Sequence, residues 1–134
     1  MTHVNRNMET LFDNEAAERA FGFAQATRVG ELLFISGTLA VDEQYAPVGE
    51  GDMAAQLRCV YRRLDNTLQA QGTGFSNVIR ETVYVTSMDA MLAANSIRLE
   101  TYGEHFPACT VVEVARLAFP PCMVEIELIA RIPS

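Results

Sequence analysis

The sequence predicts one α+β domain whose elements follow one another in the order ββαβαββ. Three observations carry this prediction. The chain has 134 residues, which is near the commonest size of a single domain and too short for two independent cores. Five short stretches have the alternation, or the β-branched and aromatic composition, of strands. Two longer stretches repeat apolar residues at the spacing of an amphipathic helix.

The first two strands are expected to form a β-hairpin. Residues 1–18 are polar and irregular, which is typical of a flexible arm or a loosely attached strand. Residues 20–28 and 32–37 are both β-like, and they flank a short turn at Gly30. This pattern predicts two antiparallel strands joined by that turn.

Two helices follow. The first is predicted to begin after Asp52, an N-cap candidate, and to end before Gly72. Its apolar stripe consists of Met53, Leu57, Val60, Tyr61, Leu64 and Leu68. The second is predicted to run from a cap at Ser87 or Asp89 to Tyr102. Its stripe consists of Met88, Met91, Leu92, Leu99 and Tyr102, with Asn95 on the same stripe.

Three further strands complete the predicted order. They lie at residues 78–86, 108–114 and 123–131, and two prolines break the chain before the last of them. One side of the first of these strands is predicted to carry Ile79, Val83 and Val85. In the last strand, the period of two puts Glu125 and Glu127 on the face opposite to an apolar row.

Composition and charge exclude several classes of function. The formal net charge is −7, and all ten Lys or Arg positions are arginine. This charge argues against nucleic acids and anionic membranes as partners, because both carry negative phosphates. The three cysteines have no zinc-like spacing, so neither a metal nor another cofactor is expected, and a reducing compartment is favoured. No signal peptide and no run of about 20 apolar residues is visible, so the sequence predicts a cytoplasmic location.

Several segments, taken in order, resemble the Rid (YjgF/YER057c/UK114) family. They are GELLFISG at 30–37, Asn95, FPA at 106–108, TVVEVARL at 110–117 and VEIELIA at 124–130. The resemblance implies a chorismate-mutase-like fold, a mixed sheet with two helices on one face. It also implies a homotrimer with small-molecule clefts between subunits, and hydrolysis of reactive enamines or imines such as 2-aminoacrylate to a carbonyl compound and ammonia.

The resemblance also implies a set of site residues. Glu125 corresponds to the family carboxylate that positions or activates water, and Ser36, Gly37 and Asn95 match other family positions. Three positions depart from the deaminase branch. Cys109 replaces an arginine that grips the substrate carboxylate, Phe23 replaces a tyrosine, and Val111 replaces a cysteine. These substitutions predict a less polar cleft and a substrate other than 2-aminoacrylate.

Each candidate residue also has a structural interpretation. Glu125 can be an exposed or interface carboxylate paired with an arginine of a neighbour, and Asn95 can bond either a backbone group in the core or a ligand. Cys109 is expected to be an inert, buried thiol, because neither His3 nor His105 is securely placed as its base. A structural salt bridge is expected for Arg116.

Three functions compete. The first is hydrolysis of an enamine or imine that lacks the usual carboxylate or presents it differently. The second is a non-catalytic trimer that binds a small molecule and has a regulatory role. The third, ribonuclease activity, is disfavoured by the net charge of −7 and by the lack of a histidine pair.

Overall fold

Residues 7–134 are described by a computed structural model, and over this range the chain forms one mixed six-stranded sheet. The strands are β1 (Met8–Leu11), β2 (Ala26–Val29), β3 (Leu32–Leu39), β4 (Val78–Val85), β5 (Ala108–Glu113) and β6 (Val124–Arg131). The helices are α1 (Glu15–Phe21), α2 (Met53–Ala70), α3 (Met88–Ala93) and α4 (Asn95–Tyr102). The strand order is β1-β2-β3-β6-β4-β5, with β4 and β5 parallel and the other neighbours antiparallel. The predicted α+β class is confirmed.

Helix α2 covers the sheet and forms most of the core with it. The Asp52 side chain accepts a hydrogen bond from the Ala55 backbone N–H at 3.0 Å, which caps the helix as predicted. The apolar stripe of α2 is buried against alternate residues of β3, β4 and β6. Burying a leucine side chain contributes about 1.5–3 kcal/mol. The capped, amphipathic α2 therefore supplies a large part of the stability of the domain.

The N-terminal region is more regular than its sequence indicates. Strand β1 pairs with β2 at the edge of the sheet, which agrees with the loosely attached strand. Residues 15–21 form the unexpected helix α1, capped by Asn14, so the expected irregular structure is wrong there, and the first arm of the hairpin begins only at Ala26. The hairpin itself is confirmed, with Gly30 at a φ of +60° in its turn. Residues 1–6, the rest of the expected arm, lie outside the described residues.

Two β-bulges change which side chains share a face. In β4 the pairing with β6 shifts between Val78 and Arg80, so Ile79 is 47% exposed and does not join Val83 and Val85 as predicted. In β3 the pairing with β6 shifts between Ile35 and Thr38, which takes the intervening residues out of the regular ladder. Both bulges lie beside candidate site residues.

The second predicted helix is broken into α3 and α4 at Ala94. The predicted apolar stripe is only partly buried. Met91 and Tyr102 enter the core, but Leu92 and Leu99 are 66% and 46% exposed. Within residues 7–134, no helix has the length and hydrophobicity needed to cross a membrane.

Candidate functional site

The bulge in β3 places Ser36 and Gly37 directly against the side chain of Glu125. The Ser36 hydroxyl donates a hydrogen bond to the Ala24 carbonyl at 2.5 Å, which fixes the bulge to the preceding loop. A Cβ at residue 37 would collide with the Glu125 carboxylate. The close approach of the carboxylate to the backbone therefore requires glycine at position 37.

Glu125 borders a cavity of about 390 Å³ with aromatic walls. Phe21, Tyr45 and Phe119 pack against one another there, with ring centroids 5.7–5.9 Å apart. Phe23 also lines the cavity. The volume is within the range of small-molecule sites, and the lining combines apolar rings with few polar groups.

The Glu125 carboxylate makes no hydrogen bond or ion pair with another residue among 7–134, and its pairing with an arginine of a neighbour stays a prediction. Burial raises the pKa of Glu125, and the negative charge of Glu127 raises it further. Glu127 itself accepts a hydrogen bond from the Tyr84 hydroxyl at 2.6 Å. A carboxylate with a raised pKa and free oxygens can take a proton from water near neutral pH.

The loop that carries Phe23 is held by Glu18, a residue that the sequence analysis missed. Glu18 is fully buried, and its carboxylate accepts hydrogen bonds from the backbone N–H groups of Asp13, Asn14 and Gln25 at 2.6–3.1 Å. These bonds tie α1 to the start of β2. Glu18 therefore fixes one wall of the Glu125 cavity without entering it.

The other three predicted site residues lie elsewhere. Cys109 and Val111 are on the edge strand β5, and Asn95 begins α4. In the strand order, β5 is three strands from β3 and two strands from β6, or about 14 Å and about 9 Å at the usual spacing. The structure thus brings Phe23, Ser36, Gly37 and Glu125 together in one group, which we call the Glu125 group, and leaves the remaining three in a second, the Cys109 group.

Beside the Cys109 group lies Glu81, which is fully buried. Its carboxylate accepts hydrogen bonds from the hydroxyls of Tyr61 and Tyr102 at 2.9 and 2.8 Å. Its other oxygen accepts from Arg98 Nε at 2.6 Å and lies 3.5 Å from Cys109 Sγ. Sequence analysis missed both Glu81 and Arg98, although a carboxylate two residues before the buried Val83 was a visible signal.

Cys109 is exposed, so the expected burial of its side chain is wrong. Partial burial of the thiol raises the pKa of Cys109, and the neighbouring Glu81 raises it further. A raised pKa keeps the thiol protonated and argues against a nucleophile, as expected. His105 bonds the Val78 carbonyl through Nε2 at 3.0 Å, and His3 lies outside the described residues.

Arg116 is exposed and makes no ion pair with any residue from 7 to 134, so the expected salt bridge is wrong. Over the same range, no cluster of three or more His, Cys, Asp or Glu side chains is arranged to hold a metal ion. The guanidinium that does lie beside Cys109 belongs to Arg98.

Comparisons with known proteins agree with this architecture. The Endoribonuclease L-PSP family model matches residues 13–132. A RutC family protein of Pyrococcus horikoshii is 34% identical over 122 residues, which cover 91% of this chain and 96% of that protein. The 2-iminobutanoate/2-iminopropanoate deaminase of Salmonella typhimurium is 31% identical over 127 residues, which cover 92% of this chain and 98% of the enzyme.

Solved structures show the same fold. The crystal structure of a YjgF/YER057c/UK114 family member from Mycobacterium tuberculosis matches with a TM-score of 0.81 and 29% identity, covering 93% of this chain and 99% of that one. RidA from Psychrobacter matches with a TM-score of 0.82 and 28% identity, covering 92% of this chain and 99% of RidA. Since the family model and these relatives extend over most of its length, the chain belongs to the Rid (YjgF/YER057c/UK114) family.

Proposed function

We propose that this protein hydrolyses a reactive enamine or imine to a carbonyl compound and ammonia, with Glu125 as the general base. The observation that carries the proposal is the Glu125 carboxylate itself, which has a raised pKa, no protein partner among the described residues and a position beside an aromatic cavity. The deaminase from Salmonella typhimurium, a relative at 31% identity, supports the same reaction class.

The chemistry requires only water and one proton carrier. An enamine first becomes an imine by gaining a proton on carbon and losing one from nitrogen. Water then adds to the imine carbon while Glu125 takes a proton from it. Glu125 gives that proton to nitrogen, which leaves a carbinolamine with one hydroxyl and one amino group on the same carbon. Glu125 then transfers the hydroxyl proton to nitrogen as the C=O bond forms, the C–N bond breaks and ammonia leaves, so the carboxylate ends in its starting state.

The full cleft is proposed to lie between copies of the chain in a homotrimer. Two observations support this arrangement. Glu125 lies on the face of β6 opposite to its buried row, whereas Cys109 contacts Glu81, which is buried under α2 and α4, so the two groups face opposite sides of the sheet in one chain. Large apolar side chains are also exposed near each group, among them Phe21 at 59% and Phe106 at 52%. The number three comes from the family resemblance, and a solution mass three times that of one chain is the expected result of light scattering.

The substrate is proposed to differ from 2-aminoacrylate by a larger apolar portion. The ring of Phe23 offers no hydroxyl, and Phe21, Tyr45 and Phe119 surround the space next to Glu125. These walls suit an aromatic or branched side chain. We also place the protein in the cytoplasm, on the basis of three cysteines that remain unpaired in the described chain.

The test is ammonia release from imines and enamines generated freshly from a series of amino acids. Wild type is expected to accelerate release, most strongly for apolar side chains. Glu125→Gln is expected to reduce kcat about 10²-fold or more, because an amide cannot accept the proton of water. Glu127→Gln is the matched control on the same strand face and is expected to keep kcat within a few-fold. Full activity of Glu125→Gln would exclude the proposal.

The alternative is a non-catalytic trimer that binds a small molecule and has a regulatory role. The largely apolar lining of the Glu125 cavity favours it, because such a lining can bind a hydrophobic metabolite without turnover. This alternative predicts saturable ligand binding and no ammonia release from any imine tested. Ribonuclease activity, the name of the matching family model, is opposed by the net charge of −7 and by the absence of lysine.

A further inference from the structure

Beside the Cys109 group lies a guanidinium that the family resemblance did not indicate. Arg98 reaches from α4 toward β5, and its side chain is only 12% exposed. Its Nε donates to Glu81 at 2.6 Å, and its guanidinium lies 5.2 Å from the centre of the Tyr102 ring. Glu81 and Tyr102 therefore hold Arg98 in one orientation.

The hydrogen bond to Glu81 uses only the Nε atom of the Arg98 guanidinium. Nη1 and Nη2 donate to no oxygen or nitrogen among residues 7–134, although the guanidinium reaches the thiol of Cys109. Every side-chain nitrogen sealed inside the described chain has a hydrogen-bond partner. The two terminal nitrogens therefore reach solvent, and they keep donors for a ligand.

The neighbours of this free edge suit a carboxylate ligand. Asn95 precedes Arg98 by three residues on α4, a spacing that puts both on one side of the helix. Its amide makes no hydrogen bond with the rest of the described chain. The Cys109 thiol stays neutral, so it does not repel an anion. A planar guanidinium edge with two parallel donors matches the two oxygens of a carboxylate.

We propose that Arg98, positioned by Glu81, binds the carboxylate of the substrate, so that the substrate is a 2-imino or 2-enamino carboxylate with an apolar side chain. The inference deepens the proposed function and rests on it, because the carboxylate must reach Arg98 while the imine carbon lies near Glu125 of an adjacent copy. In this chain the guanidinium comes from Arg98 on helix α4, and the small side chain of Cys109 on β5 leaves room for it.

A binding measurement separates this role from a purely structural one. The probes are phenylpyruvate, which has a carboxylate and an aromatic ring, and its methyl ester, which has no charge. The variant is Arg98→Met combined with Glu81→Gln, which removes both charges and leaves no unpaired buried ion. We expect phenylpyruvate to bind about tenfold or more weakly to this variant and the ester to bind with nearly unchanged affinity.

Two controls sharpen the measurement. Arg58→Met removes one positive charge from the exposed face of α2, and it is expected to leave both affinities unchanged. Arg98→Met combined with Cys109→Arg moves the guanidinium to β5, where residue 109 already lies beside Glu81, and is expected to restore phenylpyruvate binding. Circular dichroism and solution mass confirm that each variant is folded and assembled.

The proposal is overturned if the double variant binds phenylpyruvate as tightly as wild type. It is also overturned if acid and ester weaken equally, because Arg98 would then act only as a structural brace. Its failure is distinguishable from that of the proposed function. Loss of turnover in Glu125→Gln without a difference between acid and ester would refute the role of Arg98 alone, whereas unaltered turnover in Glu125→Gln would refute the hydrolase.

Discussion

Glu125 and Glu81 are carboxylates on neighbouring strands of one sheet, and their surroundings differ in almost every respect. Glu81 is fully buried and faces four donors, namely two tyrosine hydroxyls, Arg98 Nε and the Cys109 thiol. Glu125 is half-buried, packs on the Gly37 backbone and receives no hydrogen bond from residues 7–134. The more deeply buried carboxylate is therefore the one with more hydrogen-bond donors around it.

The difference shows that nearby donors, more than depth of burial, decide whether the oxygens of a carboxylate are occupied by protein partners. The oxygens of Glu81 are occupied by fixed partners, so they have no capacity left for substrate or water. The oxygens of Glu125 have no partner in the described part of the chain, and partial burial without compensating donors raises its pKa. The first residue can position Arg98, and the second can move a proton.

The largest expected effect is the loss of stability on removing Glu81. Glu81→Ala leaves Arg98 without its counter-charge and two buried tyrosine hydroxyls without an acceptor, which should cost about 3–5 kcal/mol of unfolding free energy. Urea unfolding at fixed protein concentration measures it. Glu127→Ala, which breaks one hydrogen bond on the open face of the sheet, should cost only about 1 kcal/mol. Equal losses in the two variants would contradict the structural role of Glu81.

Local signals explain how much of this fold the sequence could predict. Helix α2 was predictable because its cap and its apolar stripe lie within about 20 consecutive residues, so the whole pattern can be seen in one stretch of sequence. The hairpin was predictable from the glycine in its turn. Helix α1 was missed because only seven residues form it, too few for a clear period. The break at Ala94 has no proline or glycine to mark it.

The site was predictable only in part, for a physical reason. Family positions supplied Glu125 and Gly37, but the Glu81 network joins four elements through residues 61, 81, 98, 102 and 109, and its hydrogen bonds leave no local pattern. The sequence shows a cysteine at position 109. Its neighbour Arg98 could be recognised only when α4 and β5 were seen side by side.

The second-largest expected effect also concerns stability, and it tests the raised pKa of Glu125. Since its pKa is raised in the folded state, the unfolded chain loses this proton first as pH rises. Stability therefore falls between the ordinary carboxyl pKa and the raised one, and the cost persists at higher pH. Glu125→Gln carries no such charge and should be more stable than wild type at neutral pH. Each unit of difference in pKa corresponds to about 1.4 kcal/mol.

Thermal unfolding of Glu125→Gln and wild type across pH 4 to 8 provides the measurement for that prediction. The two melting temperatures should converge at the acid end, where Glu125 is protonated in both folded and unfolded chains, and separate as pH rises. Protein concentration must be held constant because the proposed assembly would contribute to stability. A variant that is less stable than wild type throughout would show that the Glu125 carboxylate has a stabilising partner in the assembled protein.

The smallest expected effect is a shift in the pH dependence of turnover in Glu127→Gln. The pKa of Glu125 is raised first by burial and then by the charge of Glu127, and only the second cause is removed by this substitution. A general base works in its deprotonated form, so kcat/KM rises with pH through its pKa. The acid limb of the profile should therefore move to lower pH in Glu127→Gln but remain above the ordinary carboxyl range. An acid limb that stays in place would mean that another group takes the proton from water.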